Sequence, residues 1–501
     1  MKINLRGNAV AAAIEQLVVG ASFLIFYGVL IRETGADVVG VLSLVLVLAS
    51  VGMMANAGFG SAIAQFAPTF EGRGDRASTV RCVETAMLCT AVLYAGLLVV
   101  AYFPFRLMIT SQAGEAHASL VADLMIPAAI YVFMMGVGSV TTLALTALQR
   151  SDMRMWANML GAILCLVGVI AGAPLYGVVA GLWALTAQAT LVLIVTWCQL
   201  RRIVPELGLI PWRFNIAMAR NLLTIGANLQ AQSLLIAALE PVSRLLIGHF
   251  GALVDVTYFS MAARFVLQVR ALIFAGAQPL LSAFSYLRET DPNALGSLYG
   301  RVNVIIGFMT FMALSATAGA APFVGEIWIG ERQDTFAIFA VVLVLGWIPN
   351  TMVLGSYFIA YAMGRMRYNL ASHIVMVVLN LMLGPILGLL AGPIGVAVGM
   401  AVSLIVSGLV MGIGNRGLAP AQAPFWNGPN LFLSASALLA AAGSIASYYW
   451  LRGQYAPFVS GILCGAVWLA LITPAALLHP GRRLAFSTLG LGRLGKVAAG
   501  T

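Results

Sequence analysis

Arg270 stands in the middle of the apolar run 256–285, in a chain where only 9% of residues are charged. A charge inside hydrocarbon costs about 2.5–3.5 kcal/mol on insertion scales, so it faces a cavity or a partner. A guanidinium fork in a cavity suits anionic oxygens. The competing reading is an ion pair with an acidic residue of another apolar run. Arg264 precedes it by six residues. At 100° per residue the two point about 120° apart, so only a wide cavity sees both. Arg264 equally suits snorkelling to an interface. Gln268 lies four residues after Arg264 and shares its helix face.

Other polar residues interrupt the apolar runs. Glu240 and Arg244 have the i,i+4 spacing of an intrahelical ion pair, with ligand binding by Arg244 as the alternative. Pro241 between them is expected to kink or open the helix. Glu15, beside Gln16, lies in the inner half of the first run and is the candidate carboxylate for proton or cation coupling, with Glu240 as a further candidate. Asn228 and Gln232 share a face of the seventh run. They line a polar cavity or bond between helices. Asp123 and Asp255 fall near run ends, as do His117, His249, His373 and His479. No P-loop, metal-ligand cluster or Ser/His/Asp set occurs, so neither a catalytic residue, a cofactor nor a metal is expected. The five cysteines all lie in apolar stretches and read as small buried hydrophobes.

The elements that position these residues follow from composition. The chain has 501 residues, 61% hydrophobic, with a mean hydropathy of +0.97. Soluble domains carry about a quarter charged residues. This chain cannot cover a water-facing surface, so lipid is its solvent. Spans are expected at 8–31, 38–62, 82–102, 120–147, 155–173, 177–199, 221–247, 256–285, 302–322, 335–361, 368–390, 393–413, 430–450 and 456–478. Ala173-Pro174 and Gly392-Pro393 mark two tight hairpins. Lys2 and Arg6 precede a run too long for a signal peptide, which reads as a retained first helix. With the N-terminus inside, inner segments hold 20 Lys and Arg and outer segments four. That asymmetry places both ends in the cytoplasm. The formal charge of +10 is dispersed among the loops, which excludes a nucleic-acid patch.

The spans repeat. Leu30-Ile31-x-x-x-Gly35-Ala36 recurs as Leu246-Ile247-x-x-x-Gly251-Ala252, and Ala147-x-x-Arg150 as Ala362-x-x-Arg365. Gly177-Val-Val-Ala-Gly181 recurs as Gly395-Val-Ala-Val-Gly399; the three offsets are 216, 215 and 218. Gln16 maps onto Gln232 at the first of these. The expected architecture is an all-α membrane protein of about fourteen helices: an N-lobe (1–200), a cytoplasmic linker (201–220), a C-lobe (221–416) and a terminal helix pair with tail (417–501). A shift of six helices preserves orientation, so the lobes form a parallel repeat, with a substrate site between them.

Three segments carry a family resemblance: Arg32-Glu-Thr-Gly35-Ala-Asp-Val-Val-Gly40, Phe259-Ser-Met-Ala262-Ala-Arg264-Phe265, and the paired glycines Gly177 and Gly395. With the helix count, they resemble the polysaccharide-transporter branch, the Wzx-type flippases, of the multidrug/oligosaccharidyl-lipid/polysaccharide exporter superfamily. Thr34, Val39 and Phe259 depart from its pattern. The resemblance implies a non-enzymatic flippase for undecaprenyl-pyrophosphate-linked oligosaccharide in the bacterial inner membrane, working by alternating access. The charged and polar residues within the spans make Arg270, Arg264, Arg244, Gln268, Gln16, Gln232 and Asn228 the candidate substrate-binding set, with Arg270 the one suited to a pyrophosphate. The implied partners are the lipid-linked oligosaccharide, membrane lipids, a polysaccharide polymerase and a chain-length regulator. Two alternatives stand beside it: a multidrug/organic-cation antiporter of the same superfamily, and a membrane polymerase or ligase. The antiporter calls for an acidic or aromatic cavity; the enzyme calls for a larger outer loop than the seventeen residues of 103–119.

Overall fold

A computed structural model describes residues 5–49, 59, 63, 66, 67, 70, 74–148, 150–277, 280, 281, 284, 287, 288, 291–330, 333–418 and 428–483, without the side chains of 5–14, 16, 17, 224–234, 292, 293, 428 and 429. Among the described residues the architecture is all helical, apart from one isolated bridge between Arg452 and Tyr455. The first helices are α1 (Leu5–Thr34), α2 (Ala36–Val45), α3 (Arg76–Ala113), α4 (Ala118–Ala147), α5 (Ser151–Ile203) and α6 (Ile216–Phe250). They are followed by α7 (Leu253–Ala277), α8 (Pro292–Ile329), α9 (Asp334–Met352), α10 (Leu354–Ala362), α11 (Arg367–Gly414), α12 (Gly428–Leu451) and α13 (Pro457–Leu478).

Two of these are folded back on themselves. α5 has 53 residues, about 80 Å if straight, far beyond a hydrocarbon core of about 30 Å. It breaks at Gly177 (φ 58°, ψ −139°), and α11 breaks at Gly392 (φ 60°, ψ −145°). Both lie near backbone territory open essentially to glycine alone. In α5 the arms close through small residues: a Cβ on Gly172 would lie 2.9 Å from that of Ala180, and one on Gly168 3.1 Å from that of Ala184. The first turn therefore falls at Gly177, three residues after the expected Ala173-Pro174, and Pro174 stays within the helical arm. The conformations also pair Gly177 with Gly392, an offset of 215, rather than with Gly395. Gly395 has a separate duty: a Cβ there would run into the Leu387 carbonyl of the opposite arm.

Counting each folded helix twice, and α9 with α10 as one crossing, gives about fourteen spans, as expected. The protein is a multi-pass membrane protein. Its side chains suit lipid: Leu175, Leu389 and Leu390, beside the two hairpin turns, are each more than three-quarters exposed.

Packing divides the chain into residues 1–260 and 261–501. This boundary lies elsewhere than that of the expected lobes, because α6 falls within the first unit. The core of that unit joins Val80, Val83, Val140, Ala144, Leu200 and Leu222 from α3, α4, α5 and α6. Gly40 meets the backbone of Leu253 and leaves no room for a side chain. Gly35, at φ 85°, makes the turn between α1 and α2. These two needs account for the glycines of the first resemblance segment. In the second unit, Phe308 and Phe311 of α8 pack against Leu433, Ala437 and Ile472 of the terminal pair. Tyr448 and Arg452 both bind Glu326, at 2.6 and 2.9 Å.

The linker 204–215 is held by a carboxylate that composition alone did not single out. Glu84 of α3 is fully buried and accepts from the backbone N–H groups of Gly208, Trp212 and Arg213 at 3.1, 3.3 and 2.9 Å. The neighbouring Thr85 hydroxyl donates to the Arg213 carbonyl at 3.4 Å and accepts from the Asn215 N–H at 3.2 Å.

Candidate functional site

In the second unit, α7 carries Arg270, which is half-buried. Its guanidinium carbon lies 4.2 Å from the centroid of the Trp347 ring, and Nη2 donates to Asn350 Oδ1 at 3.4 Å. Trp347 and Asn350 are three residues apart on α9, so one helix face presents both. The ring stabilises the cation electrostatically and orients it without neutralising it. Among the described residues no carboxylate pairs with Arg270, and its Nε is buried without a hydrogen bond. Among the described residues, the Trp347 ring and the Asn350 amide hold it in place of the expected acid of another span.

Behind Asn350 runs a chain of neutral groups. Asn350 Nδ2 donates to Ser407 Oγ at 3.4 Å, and the Ser407 and Ser372 hydroxyls lie 2.8 Å apart. Tyr357 and His373 stand within electrostatic range of the guanidinium, and their rings are 6.3 Å apart. His373 is buried, and neither ring nitrogen has a hydrogen-bond partner among the described residues. It is buried on the first arm of α11, six residues in from the helix start, near the run end where the sequence places it. A signal existed: Asn369, Ser372, His373, Met376 and Asn380 are all buried and recur at helical spacing, a polar stripe where an apolar one is the rule.

In the first unit, Glu15 of α1 accepts from Arg154 Nη2 at 3.0 Å and from Asn158 Nδ2 at 2.6 Å. Arg154 also donates to Thr146 Oγ1 at 3.2 Å. These groups open onto a cavity of about 300 Å³, lined further by Tyr131, Ser139, Thr142 and Gln188. Arg154 is a loop charge by position, counted with the inner segments. The structure turns it into the half-buried partner of Glu15. Arg154 and Asn158, on the first arm of α5, stand 215 residues before Asn369 and His373, on the first arm of α11. The two copies of this helix thus put polar side chains at the same two positions.

The other expected site residues fall as follows. Arg264 and Gln268 are half-buried on α7, each already engaged in the fold. Arg244, almost fully buried, is ion-paired with Glu240 on α6, and the helix runs through Pro241. The side chains of Gln16, Asn228 and Gln232 lie outside the described residues.

A family model described as "Polysaccharide biosynthesis protein" matches residues 35–337, three-fifths of the sequence. The chain belongs to that polysaccharide biosynthesis family. No curated protein matches the sequence. Among solved structures, this family member is similar to the "Lipid II flippase MurJ, inward closed conformation", at a TM-score of 0.72 and 13% identity, over 93% of this chain and 97% of the other. It is also similar to an inward-facing multidrug resistance MATE family transporter of the MOP superfamily, at a TM-score of 0.69 and 15% identity, covering 81% and 97%. An outward-facing MATE structure gives 0.57 and 16%, covering 82% and 94%. At these identities the likeness is one of fold. The polysaccharide biosynthesis family member therefore has the fold of the MOP transporters, in agreement with the resemblance carried by its glycine and arginine segments.

Proposed function

We infer that this protein is a flippase for undecaprenyl-pyrophosphate-linked oligosaccharide, moving repeat units from the inner to the outer leaflet of the bacterial inner membrane. Both termini lie in the cytoplasm, and the product feeds polysaccharide biosynthesis. Transport proceeds by alternating access through a cationic cavity. Arg270 is the observation that carries the reading. A mid-span arginine resting on an indole ring and an amide, with no carboxylate among the described residues, keeps its charge for a transient anion. A pyrophosphate supplies that anion, and the guanidinium fork can meet two of its oxygens at once. The neutral Asn350–Ser407–Ser372 chain orients the amide without quenching the cation. Family membership supports polysaccharide chemistry, and the likeness to a lipid II flippase and to MATE transporters supports alternating access.

Glu15 is the carboxylate we assign to ion coupling, since it and its partner Arg154 line a polar cavity. A carboxylate in that cavity is what favours the antiporter reading. Complementation of a strain lacking this gene tests the proposal. Arg270→Ala at normal protein level is expected to reduce polysaccharide export more than tenfold and to accumulate the lipid-linked precursor, with Arg270→Lys recovering part. If Arg270→Ala and Arg264→Ala both leave export unchanged, the cationic cavity is wrong. Altered drug susceptibility with intact export would favour the antiporter.

A further inference from the structure

The linker 204–215 and the first residue of α6 turn Leu209, Ile210, Trp212, Phe214 and Ile216 outward, each between 54% and 76% exposed. This exposure is built into the fold. The backbone beneath is pinned by Glu84 at three N–H groups and by Thr85 at Arg213 and Asn215. Trp197 Nε1 adds a hydrogen bond to the Leu209 carbonyl at 2.9 Å. A loop held so firmly cannot turn its apolar side chains inward. Exposed arginines stand around the patch: Arg202, Arg213 and Arg220 on the linker and its flanks, with Arg76 and Arg81 on the first turns of α3. Two exposed acids stand among them: Glu206 is paired with Arg76 at 3.5 Å, and Asp75 caps the first turn of α3.

We propose that this linker is an interfacial anchor, its apolar side chains seated at the boundary of headgroups and acyl chains and its arginines bound to anionic phospholipid headgroups. Aromatic and aliphatic side chains mixed with arginine are the chemistry of that boundary. Two observations choose lipid over a second copy of the chain. Exposed apolar side chains also stand on the helix arms that flank it, Ile194 on α5 and Leu223 on α6, the kind of surface that lipid covers in a membrane protein. A two-fold contact would also set the same arginines face to face, which is repulsive. The inference does not depend on the substrate. It makes the connection between the sixth and seventh spans a membrane-held strap, so lipid charge bears directly on the segment that α6 must carry with it.

The test uses the full-length protein in nanodiscs containing brominated phosphatidylglycerol or phosphatidylethanolamine. The Trp212 contribution is the difference in emission between the wild type and Trp212→Phe. That contribution is expected to be quenched by lipid bromine and shielded from aqueous acrylamide. Replacing Arg202, Arg213 and Arg220 together by glutamine is expected to weaken phosphatidylglycerol binding on the order of a hundredfold, from about fivefold per arginine at an anionic surface, and to leave phosphatidylethanolamine binding unchanged. Acrylamide quenching of Trp212, or unchanged phosphatidylglycerol binding by the triple variant, overturns the proposal. Shielding from both quenchers together with concentration-dependent dimerisation overturns it in favour of a second copy. If the triple variant does not fold, the Trp212 measurement decides alone.

Discussion

Replacing Glu84 by alanine is expected to release the linker while leaving the helices in place. The carboxylate is fully buried and takes three backbone hydrogen bonds, at 3.1, 3.3 and 2.9 Å. A hydrogen bond to a charged acceptor contributes about 1.5–3 kcal/mol, so the gross loss is on the order of 4.5–9 kcal/mol. Two effects reduce it. The substitution removes a buried charge that was costly to desolvate. The N–H groups of Trp212 and Arg213 belong to exposed residues, so they can turn to water or headgroups once released. A net loss of about 2–4 kcal/mol remains, with about half of that for Glu84→Gln, which keeps one acceptor oxygen. Hydrogen–deuterium exchange on the full chain reads this locally. Protection over 204–216 should fall about thirtyfold or more, since each 1.36 kcal/mol is a factor of ten. Exchange in α12 and α13 should not change. If Glu84→Ala leaves the amides of 208, 212 and 213 as protected as before, the carboxylate does not hold the linker and the reasoning fails.

The Glu15–Arg154 pair should show a coupling of about 1–3 kcal/mol in a double-mutant cycle by thermal unfolding, and Asn158→Ala should weaken it; additive single effects would mean the pair is only a crystal-like juxtaposition without energetic weight. Gly392→Ala should cost about 1–3 kcal/mol, because its φ of 60° with ψ of −145° is backbone territory open essentially to glycine. Gly395→Ala should cost more, because its methyl would meet the Leu387 carbonyl and push the hairpin arms apart; equal unfolding temperatures for the two variants would contradict the close approach. At the start of α3 the hydroxyl and the backbone N–H of Ser78 hold the Asp75 carboxyl below its usual range. Its contribution is therefore present at neutral pH and lost as pH falls through that depressed value. Asp75→Asn should flatten the acid limb of the stability profile, and an unchanged limb would show that the cap carries no pH dependence.

Much of the fold was legible because lipid imposes a simple grammar. A span must be a long apolar helix, so hydropathy alone located the crossings, and short glycine–proline breaks located the hairpins to within three residues. Arg270 was legible for the same reason, since a charge in hydrocarbon stands out. The spacing of Glu240 and Arg244 likewise implied their ion pair, because residues four apart on one helix meet whatever surrounds them. What the sequence could not determine was which distant residues complete each site. His373 and Arg154 sit near span ends, where hydropathy treats a polar residue as ordinary, and only helix packing brings them to the Arg270 cluster and to Glu15. Glu84 was silent as well, because its partners are backbone N–H groups more than a hundred residues away, and backbone groups carry no sequence signature. Tertiary structure also decided the register of the repeat. The recurring motif aligned Gly177 with Gly395, but the backbone conformation that only glycine tolerates aligned it with Gly392.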